Sequence, residues 1–305
     1  MSKKAVTFDF SNSLRNTTRA ALFGIALISF PLANAQAELP ERLQPFAAFD
    51  ATQTYKVDYS PWSTFTGAFA NERRGKVTLA YATIAPQGIE FLKKYIGYLQ
   101  NFPVTKLNKN EQLAYWLNLH NTLAVFQQVN NYKKSTPEEL IQGRAWQVKL
   151  VRVEGVTLSL KDIEAILFEN FDDPKVLYGL CFGTRSGPSL RMEPFTGDTV
   201  SADLDDAARR FVNSRSEVNV RKGTVTLSEY YSWFKDEAFD GSDEKLLKHV
   251  STYAASKKMA AIDASGGLAF NKFNYRLAEH KPRTAPPASA SPLGGGGGGA
   301  FPAGS

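Results

Sequence analysis

The spacing of apolar and polar residues predicts two helices in the first half of the chain. Residues 88–102, GIEFLKKYIGYLQNF, carry apolar side chains at helical spacing, at Ile89, Leu92, Ile96 and Leu99. This pattern predicts an amphipathic helix. The stretch 112–129, QLAYWLNLHNTLAVFQQV, is apolar nearly all round, so we expect a central, buried helix. Asn108 and Glu111 stand at the spacing of a capping box, in which each side chain bonds the other residue's backbone N–H.

Two stretches with period-two alternation predict β-hairpins. Residues 146–160, WQVKLVRVEGVTLSL, turn at Glu154-Gly155. The apolar residues that alternate around this turn are Val148, Leu150, Val156, Leu158 and Leu160. Residues 217–228, EVNVRKGTVTLS, turn at Lys222-Gly223, and residues 267–277, GLAFNKFNYRL, predict a final strand.

Further helices lie between the predicted strands. Ser159 and Asp162 are placed to cap a helix that runs through Phe168, and residues 201–214, SADLDDAARRFVNS, are amphipathic. The apolar run Val176–Cys181 predicts a short strand. Because helices and hairpins follow each other without a repeating strand–helix period, the sequence indicates an α+β fold. We expect a small, largely antiparallel sheet packed among helices in a single domain.

The two ends of the chain differ in composition from the middle. Residues 1–37 combine four basic residues with the apolar stretch AALFGIALISFPLANAQA and end at small residues. They predict a signal peptide that is cleaved after Ala35 or Ala37. Residues 281–305, rich in proline, alanine and glycine, predict a disordered tail. Residues 38–280 remain as the globular domain, which we expect to be periplasmic or secreted.

Charge and composition exclude several classes of function. Removal of residues 1–37 takes away four of 36 basic and one of 30 acidic residues, which lowers the net charge from +6 to +3. We therefore expect no nucleic-acid binding. Cysteine occurs once and histidine three times, without metal-ligand spacing, and no nucleotide-binding glycine motif is present. We expect no cofactor, no metal and no transmembrane role. A small molecule or an envelope component is the expected partner, and the sequence does not indicate an oligomeric state.

The segment 177–191, LYGLCFGTRSGPSLR, holds the single cysteine. Cys181 is a candidate thiolate nucleophile, with His120 on the buried helix as its base and Asn118 or Asn121 to orient that base. The alternative is that Cys181 is a small, buried core residue, which is the usual environment of a free cysteine.

The turn that follows Cys181 offers a second kind of chemistry. Gly183 and Gly187 allow unusual backbone angles, so backbone N–H groups could point at an anion or an oxyanion. Arg185 and Arg191 are candidate partners of a carboxylate or phosphate. The alternative is a tight connection in which Arg191 pairs with a structural carboxylate such as Glu164 or Asp162.

Five stretches of this chain resemble the domain of unknown function 547, in order and spacing, from about Val57 to Phe239. They are VDYSPWSTFTGAFANERRGKVTLAYA, EQLAYWLNLHNTLAVFQQV, VEGVTLSLKDIEAILF, LYGLCFGTRSGPSLR and VTLSEYYSWFKDEAF. The resemblance implies an exported protein and no established reaction. It directs attention to a set of polar positions: Asn118, Asn121, Asp162, Glu164, Ser186, Pro188 and Arg191.

This chain departs from common bacterial members of that family. Those members carry a histidine where Ala165 stands here, and cysteines where Phe182 and Gly187 stand. Cys181 lies one residue before the first of these cysteine positions, so on a strand it would point to the opposite face. His120 and Ser186 match a variant found in other branches, including plant-like ones.

Three hypotheses follow from these residues. The first is an exported enzyme for acyl transfer or hydrolysis of an amide, ester or thioester, in which Ser186 or Cys181 lies within hydrogen-bonding reach of His120. The second is a non-catalytic protein that binds a small anion or an envelope ligand through a pocket containing Arg185 or Arg191. The third makes the polar cluster a satisfied core network that braces the central helix.

Overall fold

The computed structural model describes residues 39–84 and 86–281, and these residues belong to one compact unit. The predicted signal peptide, residues 1–37, lies outside the described residues, and so do residues 282–305 of the predicted tail.

Helices and short strands alternate along the described chain. The α-helices are α1 (Ser60–Phe69), α2 (Pro86–Gln100), α3 (Lys109–Asn130), α4 (Pro137–Gln142), α5 (Leu160–Phe171), α6 (Val176–Gly179), α7 (Val200–Asn213), α8 (Tyr230–Trp233), α9 (Lys235–Phe239), α10 (Asp243–Tyr253) and α11 (Ser256–Asp263). Short 3₁₀ helices span Glu41–Ala47, Tyr81–Thr83, Val104–Lys106 and Arg144–Gln147. The strands are β1 (Ala70–Arg73), β2 (Lys76–Leu79), β3 (Val151–Val153), β4 (Val156–Leu158), β5 (Val218–Arg221), β6 (Thr224–Ser228) and β7 (Gly267–Asn271).

The predicted α+β fold is confirmed, and its strands are divided among small sheets. β1 pairs with β2, β3 with β4 and β5 with β6, each in antiparallel direction. β7 adds to β6 in parallel direction, which makes the last sheet three-stranded. The predicted final strand is therefore present.

Each hairpin turns on two residues with a left-handed backbone. Arg74-Gly75, Glu154-Gly155 and Lys222-Gly223 have φ angles between 44° and 85°, the pattern of a two-residue type I′ turn. The second and third turns were predicted from the sequence. The first was missed because the residues of β1, ANER, show no apolar alternation.

In the second hairpin the turn at Glu154-Gly155 is confirmed, with Val153 opposite Val156 and Val151 opposite Leu158. The predicted apolar alternation is wrong by one residue in the first strand, where Val151 and Val153 face the core, whereas Val148 is 49% exposed and precedes the strand. Neighbouring residues of a strand point to opposite faces, and in this strand both alternating sets contain apolar residues.

Helix α3 lies at the centre of the fold. Asn108 caps it by accepting the Glu111 N–H at 3.0 Å. The Glu111 carboxylate accepts the N–H groups of Val57 at 3.1 Å and Gly197 at 3.0 Å, so only half of the predicted capping box forms. Every residue from 111 to 125 is buried, because α2, α5 and α7 pack around the helix. The prediction of a central, buried helix is confirmed.

The predicted strand Val176–Cys181 is wrong. One helical turn, α6, covers most of this run, and Leu180 then takes an extended conformation. The turn begins where the Val176 N–H bonds the Asp173 carbonyl at 3.0 Å. The whole run is buried, and a short apolar run cannot be assigned to helix or strand from periodicity.

Between Leu180 and Thr199 the chain forms no helix and no named strand, and we call this stretch the 180–199 segment. Most of its first half is buried. Buried backbone N–H and C=O groups need hydrogen-bond partners. Because the 180–199 segment has no regular structure, side chains from other elements supply these partners. Their contacts determine where the candidate site lies.

Candidate functional site

His120 lies at the centre of the predicted site and is fully buried. Its Nδ1 is 3.2 Å from Oδ1 of Asn121, and its Nε2 is 3.2 Å from Oε1 of Glu164. The rings of Trp146 and Phe182 lie edge-on to the imidazole at 6.3 Å and 5.8 Å between centroids. Both ring nitrogens therefore have partners within a dry, aromatic shell.

The Asn121 amide is oriented by backbone groups of the neighbouring segment. Its Nδ2 donates to the Gly179 carbonyl at 2.9 Å, and its Oδ1 accepts the Cys181 N–H at 2.9 Å. Since Oδ1 can only accept, His120 donates from Nδ1. Asn121 thus contacts the imidazole while it also bonds the chain around Cys181.

Glu164 receives three hydrogen bonds, which hold it as a charged group. Trp146 Nε1 donates at 2.8 Å and Lys161 Nζ at 2.8 Å, beside the contact with His120. Burial raises the pKa of Glu164, but the bond from His120 and the Lys161 charge outweigh it, so the net pKa lies below the usual value. Both ring nitrogens of His120 therefore face acceptor oxygens, one of Asn121 and one of Glu164. Neither nitrogen is hydrogen-bonded to a nucleophile whose proton it could take.

Asn118 and Gln128 extend this pattern along α3. Asn118 bonds the backbone of Phe195 twice, donating to its carbonyl at 2.8 Å and accepting its N–H at 3.0 Å. Gln128 donates to the Phe182 carbonyl at 3.2 Å. Amide side chains of α3 thus supply the partners that a neighbouring strand would give to an extended chain. Asn118 and Asn121 thus hold the 180–199 segment in place.

Neither predicted nucleophile is hydrogen-bonded to His120 among the described residues. The thiol of Cys181 is buried and accepts the Gly183 N–H at 3.3 Å. Burial raises the pKa of this thiol to about 12. Ser186 is also buried, and its Oγ accepts the Asn274 N–H at 3.1 Å.

The backbone N–H groups of the predicted anion-binding turn are occupied. Arg185 N–H bonds the Arg276 carbonyl at 2.8 Å, and Ser186 N–H bonds the Asn274 carbonyl at 3.2 Å. Gly183 and Gly187 have the predicted unusual angles, with φ of 74° and 84°. The Gly183 N–H points at the Cys181 sulfur, and the Gly187 N–H points at Oε2 of Glu217 at 3.5 Å. The turn therefore presents no unpaired cluster of N–H groups to an oxyanion.

The two arginines of the turn differ in environment. Arg191 pairs with Asp203 of α7 at 2.8 Å, and its guanidinium lies 4.8 Å from the centre of the Phe195 ring. The partner is thus Asp203, and the suggested pairing with Glu164 or Asp162 does not occur. Asp162 pairs with Arg42 and Lys149. The Arg185 side chain is exposed.

A cleft of about 550 Å³ opens on the outer side of the 180–199 segment. Residues 187–193 form one wall, the β1–β2 hairpin forms a second, and α7 with the chain that follows it forms a third. Its charged lining residues are Glu72, Arg74, Lys76, Arg191, Glu193, Asp206, Arg210 and Glu217. Arg210 pairs with Asp206 at 2.5 Å and with Glu72 at 3.4 Å. In the described ion pairs, Arg74 and Lys76 have no carboxylate partner.

Glu217 is a cleft residue that sequence reasoning missed. It is only 2% exposed, and its carboxylate also accepts the Ser216 hydroxyl at 3.0 Å. Burial raises the pKa of this carboxyl against the opposing charge of Lys76. A buried acid with a raised pKa in a cleft is a functional-site candidate. In the sequence it reads as an ordinary charged residue before a strand, since no periodicity shows that the position is buried.

Among the described residues, no group of three or more histidine, cysteine or acidic side chains is placed to hold a metal ion. None of the helices in this part of the chain is both long and apolar enough to cross a bilayer.

The family described as "Protein of unknown function, DUF547" matches residues 104–212. Over this stretch the chain is similar to the DUF547 family. The stretch contains α3, α5, α6, the 180–199 segment and nearly all of α7, and so most of the predicted site residues. The DUF547 match ends before Glu217 and begins after Arg74 and Lys76, so the cleft also uses residues from outside it. No curated protein and no solved structure matches the chain.

Proposed function

We propose that this protein binds a small organic anion in the cleft beside residues 187–193. The main support is that Arg74 and Lys76 line the cleft and have no carboxylate partner among the described ion pairs. Lys76 Nζ donates to the Arg185 carbonyl, which leaves two of its three N–H donors for a ligand. A carboxylate or phosphate is the natural acceptor for such donors.

The shape of the cleft supports a small ligand. Its volume of about 550 Å³ falls within the ordinary range of small-molecule sites. Val77, Leu190 and Phe211 supply apolar wall, and such surface strengthens charged hydrogen bonds by excluding water. The wall formed by residues 187–193 is held by Trp62 Nε1, which bonds the Arg191 carbonyl at 3.2 Å, and by Thr66, which bonds the Met192 carbonyl at 2.7 Å.

The geometry gives less support to the acyl-transfer hypothesis. Catalysis of that kind needs a free base beside a nucleophile and unpaired donors for the oxyanion. His120 bonds acceptors with both nitrogens, and the N–H groups of Arg185 and Ser186 bond Arg276 and Asn274. We therefore favour binding without catalysis.

The test is calorimetric titration at low salt with three probes: inorganic phosphate, N-acetyl-alanyl-alanine and the neutral amide of that peptide. We expect at least one anionic probe to bind and the amide to bind at least about 10-fold more weakly. The double variant Lys76→Met with Arg74→Gln should bind the anionic probe at least about 10-fold more weakly than the wild type does. Lys93→Met is the matched control, because its ammonium pairs with Glu90 on α2. Failure of both anions to bind, or equal binding by the double variant, would refute the proposal.

We also propose that the protein is exported, on the strength of the basic and apolar character of residues 1–37. Expression of the full chain with fractionation should place the mature protein in the periplasm or medium. Its N-terminal sequence should begin at Gln36 or Glu38. An unprocessed chain in the cytoplasm contradicts this.

A further inference from the structure

Glu217 imposes a condition on any anion that enters the cleft. Its carboxylate is only 2% exposed and lines the same cleft as Lys76. An anionic group bound to Lys76 would therefore lie near the Glu217 carboxylate. Two like charges in a partly dry cleft repel each other strongly unless a positive charge lies between them.

The position of Glu217 is held by neighbouring groups. Oε2 accepts the Gly187 N–H at 3.5 Å, and Oε1 accepts the Ser216 hydroxyl at 3.0 Å. The Ser228 side chain bonds the same carboxylate, and the Ser228 N–H donates to the Glu217 carbonyl at 2.7 Å. An ionised carboxylate has about four acceptor sites, so these three side-chain contacts leave one for a ligand.

We propose that the ligand is a small zwitterion that carries a primary ammonium group beside its carboxylate, and that Glu217 binds the ammonium. Lys76 and Arg74 bind the carboxylate on the hairpin side of the cleft. Short peptides and amino acids belong to this chemical class. The inference rests on the proposed function, because it assigns a ligand class to the same cleft.

The experiment compares alanyl-alanine with its N-acetylated form by calorimetry on the mature protein. The two probes share the carboxylate and differ in the ammonium group. We expect the free peptide to bind about 10- to 100-fold more tightly, the usual worth of a hydrogen bond to a charged group. This comparison uses only the wild-type chain, so it does not depend on the folding of a variant.

The variant Glu217→Gln then tests whether Glu217 causes the preference for the free peptide over its N-acetylated form. Glutamine keeps an acceptor oxygen and removes the charge, so the two probes should bind Glu217→Gln within about 2-fold of each other. Glu193→Gln is the matched control. Its exposed carboxylate also lines the cleft but bonds the Ser63 hydroxyl at 2.6 Å, so this variant should keep the wild-type preference.

The outcomes separate this inference from the proposed function. Equal binding of both peptides by the wild type overturns the zwitterion and leaves anion binding standing. A preference that persists in Glu217→Gln overturns the role of Glu217. If the anionic probes do not bind at all, both proposals fail. An equal affinity for alanyl-alanine and its C-terminal amide contradicts the carboxylate part of the assignment.

Discussion

At the scale of single residues, the buried polar side chains hold the 180–199 segment in place. His120, Asn121 and Glu164 satisfy one another and the adjoining backbone, and Cys181 is enclosed next to them. Buried polar groups of this kind stabilise a fold only while each keeps its partner. Two predictions concern these residues directly.

The thiol of Cys181 should react slowly in the folded protein. Burial raises its pKa to about 12, so the thiolate, which is the reactive form, is rare at pH 8. We expect alkylation by iodoacetamide at pH 8 to be at least about 100-fold slower than in urea-unfolded protein. Because the chain has one cysteine, mass spectrometry gives the rate without ambiguity. Equal rates in the two states would show that the thiol is accessible and would revive cysteine catalysis.

Glu164→Gln should destabilise the protein by about 3 kcal/mol, because it removes a buried charged acceptor that His120, Trp146 and Lys161 share. Urea unfolding at pH 7 measures the change in the free energy of unfolding. Lys161→Met is the control. Its side chain is 51% exposed while Glu164 is 4% exposed, so its loss should cost less than about 1 kcal/mol. Similar losses in both variants would show that the buried contacts of Glu164 with His120 and Trp146 contribute no more than its contact with the exposed Lys161.

At the scale of elements, the packing of helices decides which polar groups are shielded from solvent. On α10, His249 packs among aromatic rings. The imidazole stacks on Tyr178 at 5.7 Å with an interplanar angle of 9°, between Phe239 and Tyr253. Its Nε2 has no hydrogen-bond partner among the described residues. Because Tyr178 belongs to α6 and also lines the cleft, α10 supports the cleft through this stack.

Protonation of His249 should loosen this packing. Burial and the Lys175 charge lower the pKa of His249 from 6.5 to about 4. The unfolded chain then binds the proton more tightly than the folded one. The stabilisation is complete above pH 6.5 and is lost as the pH falls from 6.5 towards 4, by up to about 3 kcal/mol.

His249→Phe isolates this effect from other titrating groups. Phenylalanine keeps the aromatic contact and cannot titrate. The difference in the free energy of unfolding between wild type and His249→Phe should therefore change between pH 7.5 and pH 4.5, with the variant losing less stability. A constant difference over that range would mean that His249 titrates alike in the folded and unfolded chains.

At the scale of the whole molecule, the end of the described chain joins two distant parts of the fold. Ala278 accepts the Leu79 N–H at 2.9 Å and donates to the Gly183 carbonyl at 2.9 Å, and Arg276 accepts the Arg185 N–H at 2.8 Å. The chain around Ala278 therefore lies between β2 and the Gly183 turn. This contact places the hairpin that carries Lys76 beside the DUF547 stretch, and so it helps to form the cleft.

Two truncated chains measure this contribution. A chain that ends at Asn271 lacks the segment around Ala278, whereas a chain that ends at Lys281 retains it. We expect the shorter chain to melt about 10 °C lower, since it loses several hydrogen bonds worth about 1 kcal/mol each. Its Cys181 should also alkylate faster, because the Gly183 turn loses its cover. Equal melting temperatures would show that the segment is not needed to hold the turn.

The sequence by itself determined the elements whose signals are local. The helical stripe of α2, the caps Asn108 and Ser159 and the glycines at 155 and 223 all act within a few residues, so their effect can be predicted from neighbours along the chain. The buried character of α3 followed from its composition in the same way. The motifs that resemble the DUF547 family also predicted a site where α3 meets residues 181–191, and this stays a prediction.

Only the tertiary structure decided what the polar residues in these elements do. His120, Ser186 and Cys181 are chemically suited to catalysis, yet their partners come from residues 44 to 88 positions away in the chain or from enclosed backbone. The burial of Glu217 and the contact of Ala278 with β2 depend in the same way on distant segments that meet in space. Hydrogen bonding and desolvation act over a few ångströms in three dimensions, and the order of residues along a chain does not record those distances.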